Sequence, residues 1–462
     1  MFLIKEIRDI TSATIINGSE DVCIKKFNVS KKNHNKDDFY IPIFWREDRQ
    51  KYIMDAVKAN AIGYMISSQC ENKDRIIQES IEINPNIIIL QVEDINEAIY
   101  KMARTKREQN MDVNVIAVTG SVGKTSTTEM IASILREEKR VLSDTGNNNT
   151  KPLLSWLMLD IEDYEVTVLE AGMGNKNVME PISKLLIPSI VVINNIGTSH
   201  IGKLGSKEAI LEEKLKLITH MKDEKVVLLN DDDTMLQTVK LDEEYDVKRY
   251  SLKEAKNIVQ HEDFIRFETM VYGENTEICI KAYGEHNVLN AICAIRVAEL
   301  LNIKRENIRS GIDNYRSVNR RFNVVKKNDY IVIDDTYNAS VDSMKAGLIS
   351  ANQMQGCKRK IAILGDMLEL GDYSEELHKQ VGELFAKLDF DFLLTYGENT
   401  QHICDSCKEY MKNKTVIKFD EREQLINYVL QEIKKGDLIY LKASRKMAFD
   451  EIVEKMLEKV NE

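Results

Sequence analysis

Runs of apolar residues recur along the chain at intervals filled by helix-like patterns. The clearest runs lie at 87–92, 113–118, 166–170, 190–194, 226–230, 330–333, 360–364, 392–396 and 438–442. Each is short, rich in Val, Ile and Leu, and bounded by polar residues or glycine, as expected of strands covered on both faces. Apolar strands that alternate with helices predict a largely parallel sheet, and so an α/β fold. The runs fall into three zones. The first, 1–108, carries short strands and a helix at 50–61, and its charged stretch 101–110 reads as a helix end and linker. The second, 109–314, reads as a parallel-sheet unit, and the third, 315–462, as a smaller Rossmann-like unit. Five prolines give few punctuation marks, and no repeat or low-complexity segment appears.

The run at 113–118 leads into TGSVGKTSTT, residues 119–128, and then into a helical pattern. Strand, glycine turn and a helix opening on Lys-Thr make a phosphate cradle. Backbone N–H groups and the positive end of the helix face the anion. Gly120, Ser121, Val122, Gly123, Lys124, Thr125 and Ser126 form this candidate nucleotide site. Lys124 is placed to reach the outer phosphates, and the Thr125 hydroxyl to meet Mg²⁺. The motif is the shortened form G-x-x-G-K-T, because Val118 stands where the longer pattern has its first glycine.

In open parallel sheets, ligands bind beyond the carboxyl ends of the strands. There the run at 166–170 ends in Glu170, and the run at 190–194 leads to Asn195 and His200. Both Glu170 and His200 are candidate ligands for Mg²⁺, with a solvated strand end and a loop histidine as their plain alternatives. Ser206 is placed to cap a helix that carries Lys214 two turns inside, and on charge pattern alone that helix face reads as exposed. His286, Asn287 and Asn290 open a helix that could line a base pocket. Asp335, Tyr337 and Asn338 follow the strand at 330–333, and an aromatic ring there can stack on a base while the carboxylate holds ribose hydroxyls.

Composition narrows the function. The chain has 462 residues, 43% hydrophobic and 30% charged, enough for about three domains. A net charge of −11 without a basic block argues against a nonspecific nucleic-acid binder. The N-terminal segment lacks the apolar core of a signal peptide, and no run is long enough to span a membrane. Seven scattered cysteines suit a reducing, cytoplasmic setting, and Cys404 and Cys407, a single C-x-x-C, read as two small residues on a helix.

Taken in order, eight strings resemble the Mur ligase family, the ATP-dependent amide-forming enzymes of peptidoglycan assembly. They are TGSVGKTS (119–126), LEAG (169–172), NIGTSH (195–200), GSKEAILEEK (205–214), EHNVLNA (285–291), DDTYNAS (334–340), GDMLELG (365–371) and LKASRKM (441–447). The resemblance implies three α/β domains, the first for a UDP-sugar substrate, the second for ATP and the third closing over the site. It implies ATP and two Mg²⁺ ions held by Thr125, Glu170, His200 and Lys214, the last carbamylated by CO₂. Lys124, Lys214 and His200 are then the catalytic set. Asn287, Asn290, Arg321, Asp335, Tyr337 and Asn338 become nucleotide-facing, while Asn147, Asn149, Ser444 and Arg445 border the substrates. The branch most similar joins D-alanyl-D-alanine to a UDP-N-acetylmuramoyl-tripeptide through an acyl phosphate. The implied partners are therefore small molecules, with no nucleic acid, no membrane insertion and a monomeric enzyme.

The chain departs from the family on the substrate side. Residues 28–32 read NVSKK where members carry Asp-Ser/Thr-Arg, residues 39–49 lack the usual Lys-Gly-Glu, the loop 146–152 is shorter than the family's asparagine-rich loop, and 172–176 keeps the family wording loosely. The alternatives this leaves are a relative that joins a different carboxylate and amine, a nucleotide-driven switch, and a kinase that stops at the phosphorylated product.

Overall fold

The computed structural model describes residues 1–458, except 31, 46, 145–147, 328–329 and 411–413 and the side chains of 409 and 410. Its largest feature is a six-stranded sheet in the order Asp246–Tyr250, Val226–Asn230, Ile190–Ile193, Asn114–Thr119, Val166–Glu170, Val141–Ser143, every neighbouring pair parallel. The chain leaves Asn114–Thr119 first to one side and later to the other. That strand is therefore the topological switch point, where a doubly wound sheet opens a ligand crevice. Its residues Val115 to Thr119 are fully buried, because helices cover both faces.

The register brings the strand ends level. Val118 lies opposite Glu170, and Thr119 opposite Ile193. The helix Lys124–Leu135 leaves the phosphate turn and packs beneath helices Glu285–Leu300 and Arg305–Asn314. Ser133 Oγ donates to the Gly311 carbonyl at 2.6 Å across that packing. An antiparallel sheet of Lys256–Gln260, Ile265–Val271 and Glu274–Ile280 covers the same core from outside. The apolar pattern did not predict it, since its outer face is exposed and carries ordinary polar residues.

The N-terminal zone holds a five-stranded sheet, Thr14–Asn17, Ile88–Val92, Gly63–Ser67, Phe39–Tyr40 and Phe27–Asn28, with its first strand antiparallel. The expected helix at 50–61 is a 3₁₀ turn, Gln50–Tyr52, followed by the helix Ile53–Lys58. The charged stretch 101–110 is no linker. It is the second half of one helix, Ile95–Gln109, which packs on Lys151–Met158 and Met179–Leu186 of the central zone. Arg107 explains its charge. The guanidinium is fully buried and donates to the carbonyls of Leu186 (2.8 Å), Ile187 (2.9 Å), Asn110 (2.5 Å) and Val113 (3.1 Å).

The C-terminal sheet runs Asn323–Lys326, Tyr330–Asp334, Asp437–Lys442, Arg359–Gly365, Phe392–Tyr396, Thr415–Phe419, parallel except at its first pair. Cys404 and Cys407 are buried on the helix Thr400–Tyr410 that covers this sheet, Cys404 Sγ lying 3.3 Å from Thr395 Oγ1. Among the described residues, no helix is long and apolar enough to cross a membrane.

Candidate active site

The phosphate turn is built by backbone geometry. Gly123 has φ +80° and starts the helix, and a Cβ there would stand 3.0 Å from Asn290 Oδ1. Glycine is thus required both by conformation and by the neighbour. The amides of Ser121 and Val122 both donate to Asn195 Oδ1 at 2.9 Å, so the side chain after the strand Ile190–Ile193 fixes the turn. Both amides lie in the stretch around Gly120 and Gly123 where the sequence predicts N–H groups facing phosphate, and here they are taken by a side chain. The first-turn amides of Lys124, Thr125 and Ser126 have no carbonyl four residues back within the helix and so stay open to an anion. Lys124 Nζ donates to the carbonyls of Gly120 (2.9 Å) and Ser121 (3.4 Å) and lies 3.9 Å from Glu170 Oε1.

Glu170 is buried and central. It accepts hydrogen bonds from the Thr125 hydroxyl and from Asn149 Nδ2 (2.8 Å). Burial pushes its carboxyl up, but Lys124, Arg321 and the two hydrogen bonds outweigh that and hold it below the usual carboxylate range. A hydroxyl beside an ionised carboxylate is the oxygen set that a hard divalent cation takes, so these residues fit Mg²⁺.

Lys214 departs from the exposed face that the charge pattern suggested. Ser206 does cap the helix Lys207–Leu215, accepting from the Ala209 amide at 3.2 Å, yet Lys214 is only 2% exposed. Its neighbour Glu213 is buried too, because it accepts the amides of Val178 (2.7 Å) and Met179 (3.0 Å) and caps the helix Met179–Leu186. Burial, together with the charge of Lys124, brings the Lys214 ammonium well below its ordinary pKa, against a smaller opposing pull from Glu170. That environment disfavours the charged ammonium relative to the free amine.

His200 begins the helix Ile201–Leu204 in the left-handed region, φ 65°. Its Nδ1 stands 2.7 Å from Glu369 Oε2, within reach of the carboxylate although the N–H axis points aside. Glu369 answers with a carboxyl held at about 2 by His200, with Lys203 adding to it. The turn between Asn195 and His200 lies against the phosphate loop, since Gly197 N donates to Ser121 Oγ at 2.8 Å.

On the nucleoside side, Asn287 and Asn290 are buried on the helix Glu285–Leu300. Asn290 Oδ1 accepts from Thr127 Oγ1 at 3.1 Å, and Thr127 accepts from Asn194 at 2.8 Å, which ties that helix to the phosphate helix. His286 is driven down to about 4 by burial and is neutral at pH 7. Ser126 reaches the buried phenol of Tyr315.

From the C-terminal zone, Arg321 stacks over the Tyr337 ring at 4.3 Å, has its Nε buried without a partner among the described residues, and is close enough to act on Lys124 and Glu170. Asp335 turns inward. Its Oδ2 accepts from Lys442 (2.7 Å) and Tyr440 (3.0 Å), and its Oδ1 from the Phe322 amide (3.2 Å). Asn338 is exposed and accepts from the Arg445 amide at 3.3 Å. Ser444 is buried, accepting from Leu368 N at 2.8 Å, and Arg445 pairs with Asp450 at 2.9 Å. Asn147 lies outside the described residues. Sequence reasoning missed Asn195 as the residue that fixes the loop, and missed Glu369. The strings NIGTSH and GDMLELG contained both, but no local pattern marks a residue that acts across zones.

Comparison with known proteins agrees with this geometry. Residues 118–298 match the Mur ligase middle domain, and residues 320–445 match the Mur ligase glutamate ligase domain. The chain is 31% identical over 461 residues to the UDP-N-acetylmuramoyl-tripeptide–D-alanyl-D-alanine ligase of Bacillus subtilis, covering 98% of each chain. Its fold is similar to that of MurF from Acinetobacter baumannii, with TM-score 0.84, 24% identity and 99% of each chain covered. It is also similar to the MurF ligase of Thermotoga maritima in complex with ADP, with TM-score 0.79, 24% identity and 95% and 98% covered. The chain belongs to the Mur ligase family and is an ATP-dependent, ADP-forming ligase.

Proposed function

We propose that the chain joins D-alanyl-D-alanine to UDP-N-acetylmuramoyl-tripeptide in the assembly of a peptidoglycan precursor. The observation that carries this reading is the buried group of Lys124, Thr125, Glu170 and Lys214 at the switch point, with Arg321 reaching it from the C-terminal zone. The likeness to the Bacillus subtilis ligase along 98% of its length supports the choice of substrates.

In this reading the γ-phosphoryl group of ATP passes to the donor carboxylate, giving ADP and an acyl phosphate. The amine of the dipeptide attacks the acyl carbon, a tetrahedral intermediate forms, and phosphate leaves as the amide closes. Lys124, Arg321 and the first-turn amides of the helix Lys124–Leu135 offset the negative charge that gathers when phosphate meets carboxylate. Thr125 and Glu170 would hold one Mg²⁺, and His200 with a carbamylated Lys214 would hold a second. When bound, these ions neutralise phosphate charge. A bare ammonium at Lys214 repels a cation, whereas the deprotonated amine can add to CO₂ and release a proton to solvent, leaving a carbamate as an anionic oxygen ligand. Asn287 and Asn290 face the adenine side, with Tyr337 and Asn338. Asn149, Ser444 and Arg445 border the substrates. The division of labour is 1–108 for the UDP-sugar peptide, 109–314 for ATP and 315–462 for closure, in a monomeric cytoplasmic enzyme.

One observation favours a different carboxylate donor. Where the family triplet stands, Asn28 turns inward to Asp38 at 2.9 Å, and Arg49 fills the neighbouring space by donating to the Val29 carbonyl at 2.6 Å. One experiment separates the readings. ATP, Mg²⁺, UDP-N-acetylmuramoyl-tripeptide and D-alanyl-D-alanine are supplied together, and phosphate release and product mass are followed. Turnover that requires both substrates and yields the pentapeptide supports the first reading. ADP formation that ignores this donor but accepts another supports the second.

A further inference from the structure

The loop that carries His200 is gripped from the C-terminal zone along its length. The Asp342 carboxylate accepts the amide (3.0 Å) and hydroxyl (3.3 Å) of Thr198. Glu369 pairs with His200 at 2.7 Å and with Lys203 at 3.5 Å. The Tyr373 hydroxyl donates to the Gly205 carbonyl at 2.6 Å. Between these contacts the backbones touch. A Cβ on Gly202 would lie 2.6 Å from Gly371 N and from the Leu370 carbonyl carbon, so no larger residue fits without opening the seam. Lys203, Asp342 and Tyr373 hold the two units together. Of these four, Glu369 is the one that reaches the imidazole.

We infer that Glu369 is a positioning residue that couples docking of the C-terminal unit to the orientation of His200. This rests on the reading of His200 as a cation ligand. An imidazole binds a cation through one nitrogen, and an acceptor placed beside the other favours the tautomer protonated there and restrains the ring. With Nδ1 against a carboxylate, Nε2 is the nitrogen left to ligate. The carboxylate belongs to the unit that must dock, so His200 is set for the cation only when the seam between Gly202 and Gly371 is closed. The undocked enzyme would then hold its second cation weakly and would not commit ATP to transfer.

The test uses the full chain with ADP and Mn²⁺, read by electron paramagnetic resonance, and needs no donor substrate. In Glu369→Gln, the weaker Mn²⁺ site should lose about 10–100-fold in affinity while the tighter site is unchanged. With substrates, kcat should fall while KM for ATP holds. Gly202→Ala keeps both His200 and Glu369 but places its Cβ in the seam. It should weaken the same Mn²⁺ site and expose the junction to limited proteolysis. Circular dichroism checks that each variant is folded; Glu369→Gln tests the positioning role and Gly202→Ala the coupling to docking. Wild-type Mn²⁺ affinity in Glu369→Gln overturns the positioning role. Loss in Glu369→Gln with wild-type binding in Gly202→Ala overturns the coupling to docking. A wild-type chain that holds only one Mn²⁺ removes the cation role of His200 and this inference with it. Two Mn²⁺ sites without pentapeptide formation would instead sink the substrate reading alone.

Discussion

Lys214→Met should make the free protein more stable and inactive. The side chain is 2% exposed, and among the described residues its ammonium has no hydrogen-bond partner, while a second cation, Lys124, acts on it. An uncompensated charge held in the interior costs about 3–5 kcal/mol. Methionine has similar length and no charge, so it should recover about 3 kcal/mol of that. At roughly 2–4 °C per kcal/mol for a unit of about 200 residues, the melting temperature should rise by about 6–12 °C. The sign with pH follows from the lowered pKa. Between the folded value and the ordinary 10.5, the unfolded chain binds more protons than the folded one, so the stability of the wild type rises with pH across that window. The gap between Lys214→Met and wild type should therefore narrow as pH climbs from 7 towards 10.5. Bicarbonate at pH 8 should narrow it in the same way, because a carbamate converts the buried cation to an anion beside Lys124. Calorimetry across pH, with and without bicarbonate, reads all three effects. A Lys214→Met protein that melts below wild type at pH 7, with a gap indifferent to pH, would refute the reasoning.

Lys124→Ala should lower kcat for phosphoryl transfer by about 10²–10³-fold while leaving the fold intact, as followed by ADP release and circular dichroism. Asp335→Asn should cost about 3–5 kcal/mol in thermal unfolding, because it strands the buried Lys442, while ADP titration reports any separate role towards the nucleotide. Arg107→Met leaves the carbonyls of Leu186 and Val113 buried without their donor and should cost about 2–6 kcal/mol, with no change in KM for ATP in the folded fraction.

What could be read from the sequence was the part with a local cause. Apolar runs buried on both faces fixed the strands at 166–170, 226–230 and 392–396 to the residue. The phosphate turn was visible because glycine, lysine and threonine must follow one another there. Strands such as Asp246–Tyr250 and Lys256–Gln260 escaped because one face is solvated and their polar residues do not alternate cleanly. Lys214 and Arg107 misled for a shared reason. A charged residue on a helix reads as exposed, and only tertiary packing shows that one guanidinium serves four carbonyls and one ammonium is sealed into a site. Glu369 belongs to a contact between zones 169 residues apart in the chain, 200 to 369, which no periodicity encodes.

Transfer of label from donor to phosphate tests the central claim most directly. If the donor carboxylate is enriched with ¹⁸O, passage through an acyl phosphate leaves one carboxylate oxygen on the phosphate released. Mass spectrometry of that phosphate should show one ¹⁸O per turnover, and Lys124→Ala should remove the signal together with ADP formation. Amide product accompanied by unlabelled phosphate would contradict the mechanism.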